Sequence, residues 1–365
     1  MLTKNHLIPL MFLCSVFACR PESVTPGTLN EAVESSVNPY ILFGGLSSVS
    51  VGVIQKNTAQ TFHFGYAFPG KNQSPTDSTI YPIGDLTQIF TATLIADLIL
   101  EGKVRLNDSL DRHLAVVAPD FEGEKITIGQ LVTHTAALGY EIAPGYTDLS
   151  PLEQAVLYKN FGRTDFDNFL KNADLPYLPG ERYNYSRAGM GILGYVTEEI
   201  SAQSWPDFLQ ERITGPLNMA DTRNLERMNT RQFERLGEAF STTQKTLTEY
   251  QWGEYRGAAS LYATVRDMIT FLSAEMDPLS SVSDAFLLTQ TPLFELGAGN
   301  QVGMGWLIAE KNGSTIYHRS GTVAQSAFLA FDRQKQLGVV ILAGTPDEES
   351  VKSIGWAVMD FLQSQ

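Results

Sequence analysis

Two polar residues stand at the start of a long apolar stretch and could carry chemistry. Residues 82–91 read PIGDLTQIFT, in which Asp85 is followed three positions later by Gln88. Aspartate and glutamine at this spacing form a capping box at a helix start, where a carboxylate also suits the helix dipole. A carboxylate can instead act as the nucleophile of a retaining glycosidase if a second carboxyl group lies about 5 Å away. Both interpretations of Asp85 are therefore open from these residues.

Two later clusters combine a hydroxyl or imidazole group with arginine. The first reads Tyr185-Ser186-Arg187, and the second reads His318-Arg319-Ser320-Gly321-Thr322. The histidines lack the spacing of metal ligands, and they are His6, His63, His113, His134 and His318. We therefore expect no metal and no other cofactor. We expect His134, in the segment LVTHTAAL, to be a packed and hydrogen-bonded residue.

The elements that must position these residues follow from hydrophobic periodicity. Residues 46–67 alternate around a polar turn and predict a β-hairpin. The stretch Leu86–Leu100 is apolar nearly all round, which is typical of a buried helix. Further helices are predicted at residues 126–138, 189–203, 205–213 and 263–274, strands at 302–310, 314–320, 326–332 and 337–344, and a last helix at Ile354–Leu362.

This order of elements predicts an α/β (α+β) fold with one antiparallel sheet, of five-stranded type, flanked by helices. The sheet lobe would contain residues 39–82 and 250–365, because strands are predicted near both ends of the chain. Residues 83–249 would form an all-helical lobe inserted between them. Candidate site residues come from both parts, so we expect the site where the two lobes meet.

The chain resembles the serine β-lactamase and penicillin-binding-protein superfamily, in particular class C β-lactamases and their esterase and D-peptidase relatives. The similarity runs from about Ile41 to Leu362. It is carried by the joint order of several stretches, namely IGDLTQIFTATLIADLILEGKVRLNDSL, ITIGQLVTHTAAL, PGERYNYSRAGMGILGYVTEEI, GPLNMADT, YATVRDMITFL, MGWLI and YHRSGTVAQSAFLAFD followed by LGVVILAG. The resemblance implies the β-lactamase/transpeptidase-like fold and hydrolysis through an acyl-serine intermediate.

The sequence departs from the family pattern in all three elements that this chemistry needs. Family members carry Ser-x-x-Lys at a helix start, but this chain has Asp85 and Gln88 there. The Tyr-x-Asn element keeps Tyr185 and has Arg187 in place of asparagine. The His-x-Gly element keeps His318 and has Ser320 in place of glycine. The nucleophile and its lysine are both lost, so serine-hydrolase activity is not expected.

Three functions remain open. A pseudoenzyme would use Asp85 and Gln88 only as a helix cap. A repurposed glycosidase- or esterase-like hydrolase would use Asp85 as the nucleophile, with Glu254 as the candidate acid, because that segment borders the cleft in relatives. A related possibility is weak hydrolysis by a water held between Asp85 and Tyr185. A binding module would hold a small peptide, glycan or ester through residues at the motif positions, which are Tyr185, Arg187, His318, Arg319, Ser320, Gly321 and Thr322.

One contact is predicted within the cleft itself. In relatives the three elements converge on one point, which implies that Asp85 and Arg187 lie together here. A partly buried carboxylate needs a cation to stay charged, so we predict a hydrogen-bonded pair between Asp85 and Arg187, with Tyr185 beside it. Alternation along the strand from His318 is expected to turn Arg319 away from the site.

The N-terminus indicates export, and the composition limits the partners. Lys4 precedes an apolar run over residues 7–18 that is too short to span a membrane and is typical of a signal peptide. The run ends in Val16-Phe17-Ala18-Cys19, which resembles a bacterial lipobox. We therefore predict a signal peptide at 1–18, lipidation of Cys19 and a tether at 19–38 with a short helix near Leu29–Val33, the alternative being an ordinary signal peptide cut nearby. Lipidation would place the protein, which we expect to be a monomer, in the bacterial envelope, facing the periplasm or at the outer membrane. The net charge of −14 disfavours nucleic acid as a partner, because nucleic acid is also negatively charged.

Overall fold

A computed structural model describes residues 26–56, 58–143, 145–240 and 250–365. Within these ranges lie thirteen strands: Ser48–Gln55 (β1), Thr58–Gly65 (β2), Ile80–Pro82 (β3), Asp120–Phe121 (β4), Glu124–Lys125 (β5), Arg223–Asn224 (β6), Leu261–Thr264 (β7), Phe294–Gly297 (β8), Asn300–Val302 (β9), Leu307–Lys311 (β10), Ser314–Thr322 (β11), Ser326–Asp332 (β12) and Leu337–Ala343 (β13). The predicted signal peptide and Cys19 lie outside the described residues.

The same ranges contain twelve α-helices: Leu29–Leu42 (α1), Thr87–Leu100 (α2), Ile128–Val132 (α3), Pro151–Lys159 (α4), Arg163–Asn172 (α5), Arg187–Ser201 (α6), Trp205–Leu209 (α7), Thr230–Phe233 (α8), Arg256–Ala259 (α9), Val265–Met276 (α10), Ser283–Thr289 (α11) and Glu348–Gln363 (α12). No helix within the described ranges is long and apolar enough to cross a membrane.

The main sheet joins the two ends of the chain. Its strand order is β2-β1-β13-β12-β11-β10-β9-β8, and each neighbouring pair is antiparallel. The mixed α/β architecture with an antiparallel sheet is thus confirmed. The described sheet has eight strands rather than five because β8, β9 and β10 extend it beyond β11.

The sheet is covered on both faces. One face packs against α1 and α12 through a separate apolar cluster that includes Val33, Val37 and Ile354. The other face joins the large core around α2, whose residues from Thr87 to Ala96 are all buried. A helix that is apolar on every side can be stable only in such a position, because it has no polar face to turn toward water.

Two sequence-based boundaries differ from the structure. Residues from Leu29 onward do not form a tether, because α1 has Thr28 as a capping-box residue and buries one face against the sheet. The helix predicted at 126–138 ends at Val132, because His134 and Ala137 both adopt left-handed backbone conformations that a helix cannot contain. The resulting turns bring the His134 ring toward the sheet.

The turn before α2 lies directly against strand β11. A Cβ atom on Gly321 would lie 2.6 Å from the Asp85 backbone nitrogen, so only glycine allows this approach. The last pair between β10 and β11 joins Leu307 to His318. Beyond it, residues 319–322 pair with β12 alone among the described strands, and a cleft forms along this open edge.

Candidate functional site

Asp85 lies on a single 3₁₀ turn, Gly84–Leu86, immediately before α2. Its side chain makes no capping hydrogen bond, and the N-cap position of α2 is occupied by Leu86, whose side chain cannot cap a helix. The interpretation of Asp85 and Gln88 as a capping box is therefore wrong. The 3₁₀ turn delays the start of the α-helix, and Asp85, which is 7% exposed, directs its carboxylate toward the start of α6.

The predicted contact between Asp85 and Arg187 is present and has a two-pronged geometry. Arg187 Nε donates to Asp85 Oδ1 at 2.8 Å, and Arg187 Nη2 donates to Oδ2 at 3.1 Å. Arg187 is the first residue of α6, whose N-cap residue Ser186 accepts from the Gly189 amide at 3.0 Å. The helix start thus fixes the direction of the arginine, and both carboxylate oxygens of Asp85 are occupied.

Arg187 also binds a second carboxylate that sequence analysis missed. Its Nη1 donates to Glu141 Oε1 at 2.8 Å, and Glu141 accepts further hydrogen bonds from the hydroxyl groups of Tyr158 and Tyr255 at 2.8 and 2.9 Å. Burial by itself would lower the pKa of Arg187, but Asp85 and Glu141 outweigh it and raise that pKa well above its usual value. The three charged residues form a buried ion triad, called here the Asp85 cluster.

Gln88 connects this cluster to Arg319 and Tyr185. Its Nε2 donates to the Tyr185 hydroxyl at 2.7 Å and to Asp85 Oδ1 at 3.3 Å, while its Oε1 accepts from Arg319 Nη2 at 2.5 Å. Gln88 therefore uses both ends of its amide in the site, one turn of helix beyond Asp85. Burial raises the pKa of Tyr185 well above its usual value, and the nearby negative charge of Asp85 adds to this effect, so the phenol keeps its proton.

The prediction that Arg319 turns away from the site is wrong. Alternation along β11 does hold, but His318 is the residue that faces the C-terminal helix, where its ring lies 4.9 Å from that of Trp356. Arg319 faces the helical side instead. Its guanidinium lies 5.0 Å from the Tyr185 ring centre and 3.2 Å from His134 Nε2. The pattern of alternation was correct, but only the packed structure shows which residues face α2.

Both histidines of the site are held neutral. Burial lowers the pKa of His134 well below its usual value, and the charge of Arg319 lowers it further. His134 Nδ1 also lies 3.2 Å from the Ser186 carbonyl oxygen, which confirms the expectation of a packed, hydrogen-bonded residue. Burial likewise lowers the pKa of His318 to about 4. Neither ring adds positive charge to the site near neutral pH.

A cleft of about 390 Å³ opens over these residues. Its walls come from the turn before α2, the loops ahead of α4 and α6, strands β10 and β11, and α12. The lining residues include Asp85, Tyr140, Tyr183, Tyr185, Leu307, His318, Arg319, Ser320, Glu348 and Lys352. Ser320 Oγ donates to Glu348 Oε1 at 2.5 Å. Five of these residues (Tyr140, Tyr183, Leu307, Glu348 and Lys352) were not candidates, since they belong to none of the three catalytic motifs and reach the cleft only through folding.

Three sequence candidates have other positions or roles. Glu254 lines a different cavity, where it lies 3.3 Å from Arg256 and near Glu198, so it is not a partner for Asp85. Gly321 is not among the residues that line the cleft; its lack of a side chain lets β11 pack closely against the turn before α2. The Thr322 hydroxyl lies 3.2 Å from that of Ser326, while its carbonyl oxygen accepts from Arg187 at 3.3 Å.

A serine–histidine–aspartate chain lies elsewhere, on the β1–β2 hairpin. Ser50 Oγ lies 3.1 Å from His63 Nδ1, and His63 Nε2 lies 2.9 Å from Asp77 Oδ1. Ser50 is completely buried and also lies 3.1 Å from the Tyr81 hydroxyl. A nucleophile must reach its substrate, so this chain is a structural link. The described residues contain no cluster of three or more His, Cys, Asp or Glu that could hold a metal.

Comparison with known proteins gives a consistent result. A family model described as Beta-lactamase matches residues 40–363. The D-alanyl-D-alanine-carboxypeptidase/endopeptidase AmpH of Escherichia coli K12 is 26% identical over 364 residues, which cover 93% of this chain and 91% of that one. A protein named Beta-lactamase from the same strain is 24% identical and covers 96% of both chains.

Two further similarities concern chain length and fold. Protein flp of Staphylococcus aureus strain N315 is 24% identical over 293 residues, which are 78% of this chain but only 57% of the length of that relative. The crystal structure of a Beta-Lactamase/D-Alanine Carboxypeptidase from Pseudomonas syringae superposes with a TM-score of 0.79 at 18% identity, covering 91% of this chain and 98% of that one. The structural match shows that the fold is shared.

Proposed function

We infer that this chain, which belongs to the beta-lactamase family, has lost acyl-serine catalysis and uses its cleft to bind a ligand without hydrolysing it. One observation carries this proposal. At the position of the family nucleophile stands a carboxylate, and Arg187 donates to both of its oxygens. An acyl-serine reaction needs a hydroxyl nucleophile and a base that accepts its proton, and neither is provided at positions 85 and 88.

The neighbouring groups support the same conclusion. Tyr185 keeps its proton because burial raises its pKa, so it is a poor general base at neutral pH. Gln88 has no titratable group, and its amide is engaged by Tyr185 and Arg319. An attack by Asp85 itself would require breaking its two-pronged ion pair while its carboxylate is buried, which disfavours the alternative of a repurposed hydrolase.

The cleft retains features of a small-molecule site. Its volume of about 390 Å³ lies within the usual range for such sites, roughly 300–1,000 Å³. Three tyrosines and Leu307 supply apolar surface, while Arg319, Lys352 and Glu348 supply polar groups. A small peptide, a glycan or an ester fits this composition. Two relatives are named for D-alanyl-D-alanine carboxypeptidase or β-lactamase activity, which makes peptide-like ligands the first to test.

The test of lost catalysis uses the full-length protein with AmpH as the active comparison. We expect no covalent labelling by fluorescent penicillin and no product from a panel of esters, D-amino-acid peptides and glycosides. Labelling that survives denaturation, or turnover that Asp85→Ala abolishes, would refute the loss of catalysis. Binding is tested separately by the thermal shift that the same compounds cause. If no compound raises Tm, or if Tyr183→Ala leaves every shift unchanged, the binding role is wrong.

A reconstruction series tests which departures matter. Asp85→Ser with Gln88→Lys should give only weak hydrolysis, because Arg187 would remain in the site and Ser320 would remain at the strand edge. Adding Arg187→Asn and Ser320→Gly should raise the rate further. An efficient hydrolase from the double variant alone would show that the differences in the other two motifs are neutral.

We further propose that the protein is an envelope lipoprotein attached through Cys19. This proposal rests on the sequence Val16-Phe17-Ala18-Cys19 after an apolar run. Cys19→Ala should release the protein from the membrane fraction or leave it unprocessed, whereas Cys14→Ala serves as the matched control. If Cys19→Ala fractionates and migrates like the parent, the interpretation of this sequence as a lipobox is wrong.

A further inference from the structure

A second and larger cavity lies on the helical side of the molecule, between α4 and α5. Its volume is about 770 Å³, and it shares no lining residue with the cleft at Asp85. Much of its wall is apolar, formed by Ile142, Val156, Leu157, Phe161 and Phe169. Concave, mainly apolar cavities of roughly 300–1,000 Å³ with a few polar groups are the usual form of small-molecule sites.

The uncharged polar groups of this cavity are asparagine side chains. Asn160 Nδ2 donates to the Val156 carbonyl at 2.9 Å, and Asn172 Nδ2 donates to the Asn168 carbonyl at 2.6 Å. Each of these amides keeps its oxygen as an acceptor and its second N–H as a donor, so it can bind either kind of polar group on a ligand. The preference between ligands must therefore come from the charged residues of the cavity.

The charge of the cavity has the same sign. Asp165 and Glu141 line it, and no lysine or arginine is among its lining residues. Glu141 pairs with Arg187, which it shares with Asp85. Asp165 is an exposed residue at the rim of the cavity. Its Oδ2 accepts from the Gly162 amide at 2.8 Å at the start of α5. This leaves a net negative rim around an apolar interior.

We propose that the α4–α5 cavity is a second ligand site, specific for small apolar molecules that carry an amine. The apolar part would lie against Phe161 and Phe169, and the ammonium group would lie at the rim near Asp165. An anionic molecule of the same shape is excluded by like charge, and a neutral one lacks the ionic contact. This inference goes beyond the cleft and does not depend on whether the cleft is catalytic.

The experiment compares three ligands that differ only in their polar end. Binding of 4-phenylbutylamine, 4-phenylbutan-1-ol and 4-phenylbutanoate to the full chain is measured by calorimetry. We expect the amine to bind at least about tenfold more tightly than the carboxylate, with the alcohol between them, which corresponds to the loss of one ionic contact and its replacement by repulsion. Equal affinities for all three, or no binding of the amine at millimolar concentration, would overturn the proposal.

Variants locate the site. Val156→Trp fills the cavity from a position that is 53% exposed, so the fold should tolerate it and amine binding should be lost. Leu152→Trp is the matched control, because Leu152 is an exposed residue of the same helix outside the cavity lining. Asp165→Asn keeps a capping side chain at the start of α5 and should weaken the amine about threefold to tenfold while leaving the alcohol unchanged. Unchanged amine affinity in both Val156→Trp and Asp165→Asn would place the ligand elsewhere.

Discussion

Two chains of polar residues lead from the interior of this protein toward its surface, and they bury charge to very different extents. In the Asp85 cluster, the side chains of Asp85, Arg187 and Glu141 are 9%, 5% and 4% exposed. In the Ser50–His63–Asp77 chain, exposure rises to 21% for His63 and 41% for Asp77. The first holds its charges away from water, while the second holds its charged end in water.

This difference matters because the energy of an ion pair depends on what replaces it when it breaks. A buried charge that loses its partner cannot be solvated, so breaking such a pair is costly even when the intact pair contributes little. An exposed charge is solvated in either case and costs little. The Asp85 cluster therefore has few alternative arrangements, whereas the hairpin chain can lose its outer members with small effect.

The largest expected effect comes from removing the shared cation. Arg187→Met should lower the free energy of unfolding by about 3–5 kcal/mol, because two carboxylates would remain buried without a cationic partner. Urea unfolding measures this loss. Arg227→Met is the matched control, since Arg227 pairs with Asp207 at the surface and its loss should cost about 0–1 kcal/mol. Equal losses in the two variants would remove the contrast between buried and exposed pairs.

A double-mutant cycle isolates the pair itself. The free energies of unfolding lost in Asp85→Ala and in Arg187→Ala should add up to about 1–3 kcal/mol more than the loss in the double variant. The reason is that the double variant leaves fewer uncompensated charges than the two single variants together. Glu141 stays unpaired in the double variant, so adding Glu141→Gln should recover part of the remaining loss. Strictly additive values would show that Asp85 and Arg187 do not interact, and the hydrogen bonds between them would then carry no energetic weight.

The pH dependence extends the contrast to the histidines. The pKa of His318 is about 4 in the folded protein, against about 6.5 when unfolded. The unfolded state takes up the proton first on acidification, so the stability that neutral His318 supports is complete above the unfolded value and is lost as the pH falls toward 4. This loss amounts to at most about 3 kcal/mol. The free energy of unfolding, measured with urea at several pH values in this range, should fall less steeply with decreasing pH in His318→Phe than in the parent. An unchanged pH dependence would assign the effect to other groups such as His134.

A smaller effect is expected for Gln88. Replacing it with leucine removes the acceptor that Arg319 uses and the donor to Tyr185, so buried polar groups lose partners and stability should fall by about 1–3 kcal/mol. Gln203→Leu is the control, because Gln203 makes its hydrogen bond to Glu211 at the surface. Thermal unfolding of the two variants provides the comparison. If they behave alike, Gln88 does not position the site.

The smallest effect is expected at the outer end of the hairpin chain. Asp77→Ala should cost about 0–1 kcal/mol because this aspartate is well solvated. Ser50→Ala should cost more, about 1–2 kcal/mol, since its buried hydroxyl lies between His63 and Tyr81. Chemical denaturation of both variants checks the order. A larger loss from Asp77→Ala than from Ser50→Ala would contradict the gradient of burial along this chain.

Sequence patterns were sufficient for most of the fold. Hydrophobic alternation and helical periodicity depend on neighbours a few residues away, so they located the β1–β2 hairpin, the buried helix α2 and the C-terminal strands. The same local information gave the wrong end for α3, because periodicity does not reveal the left-handed turn at His134. It also failed to predict most of α1, because the packing of this helix onto the sheet depends on distant residues.

The sequence by itself determined that position 85 holds a carboxylate where relatives have a serine, and that Arg187 is the cation to pair with it. The identity of a side chain, read against a family pattern, is enough for that conclusion. Only the tertiary structure decided that Arg319 enters the site, that Glu141 shares Arg187 and that Glu254 lies elsewhere. These facts depend on which face of β11 meets α2 and on loops that bring distant residues together. Removing charges from water costs free energy, so the folded arrangement must give each buried charge a partner.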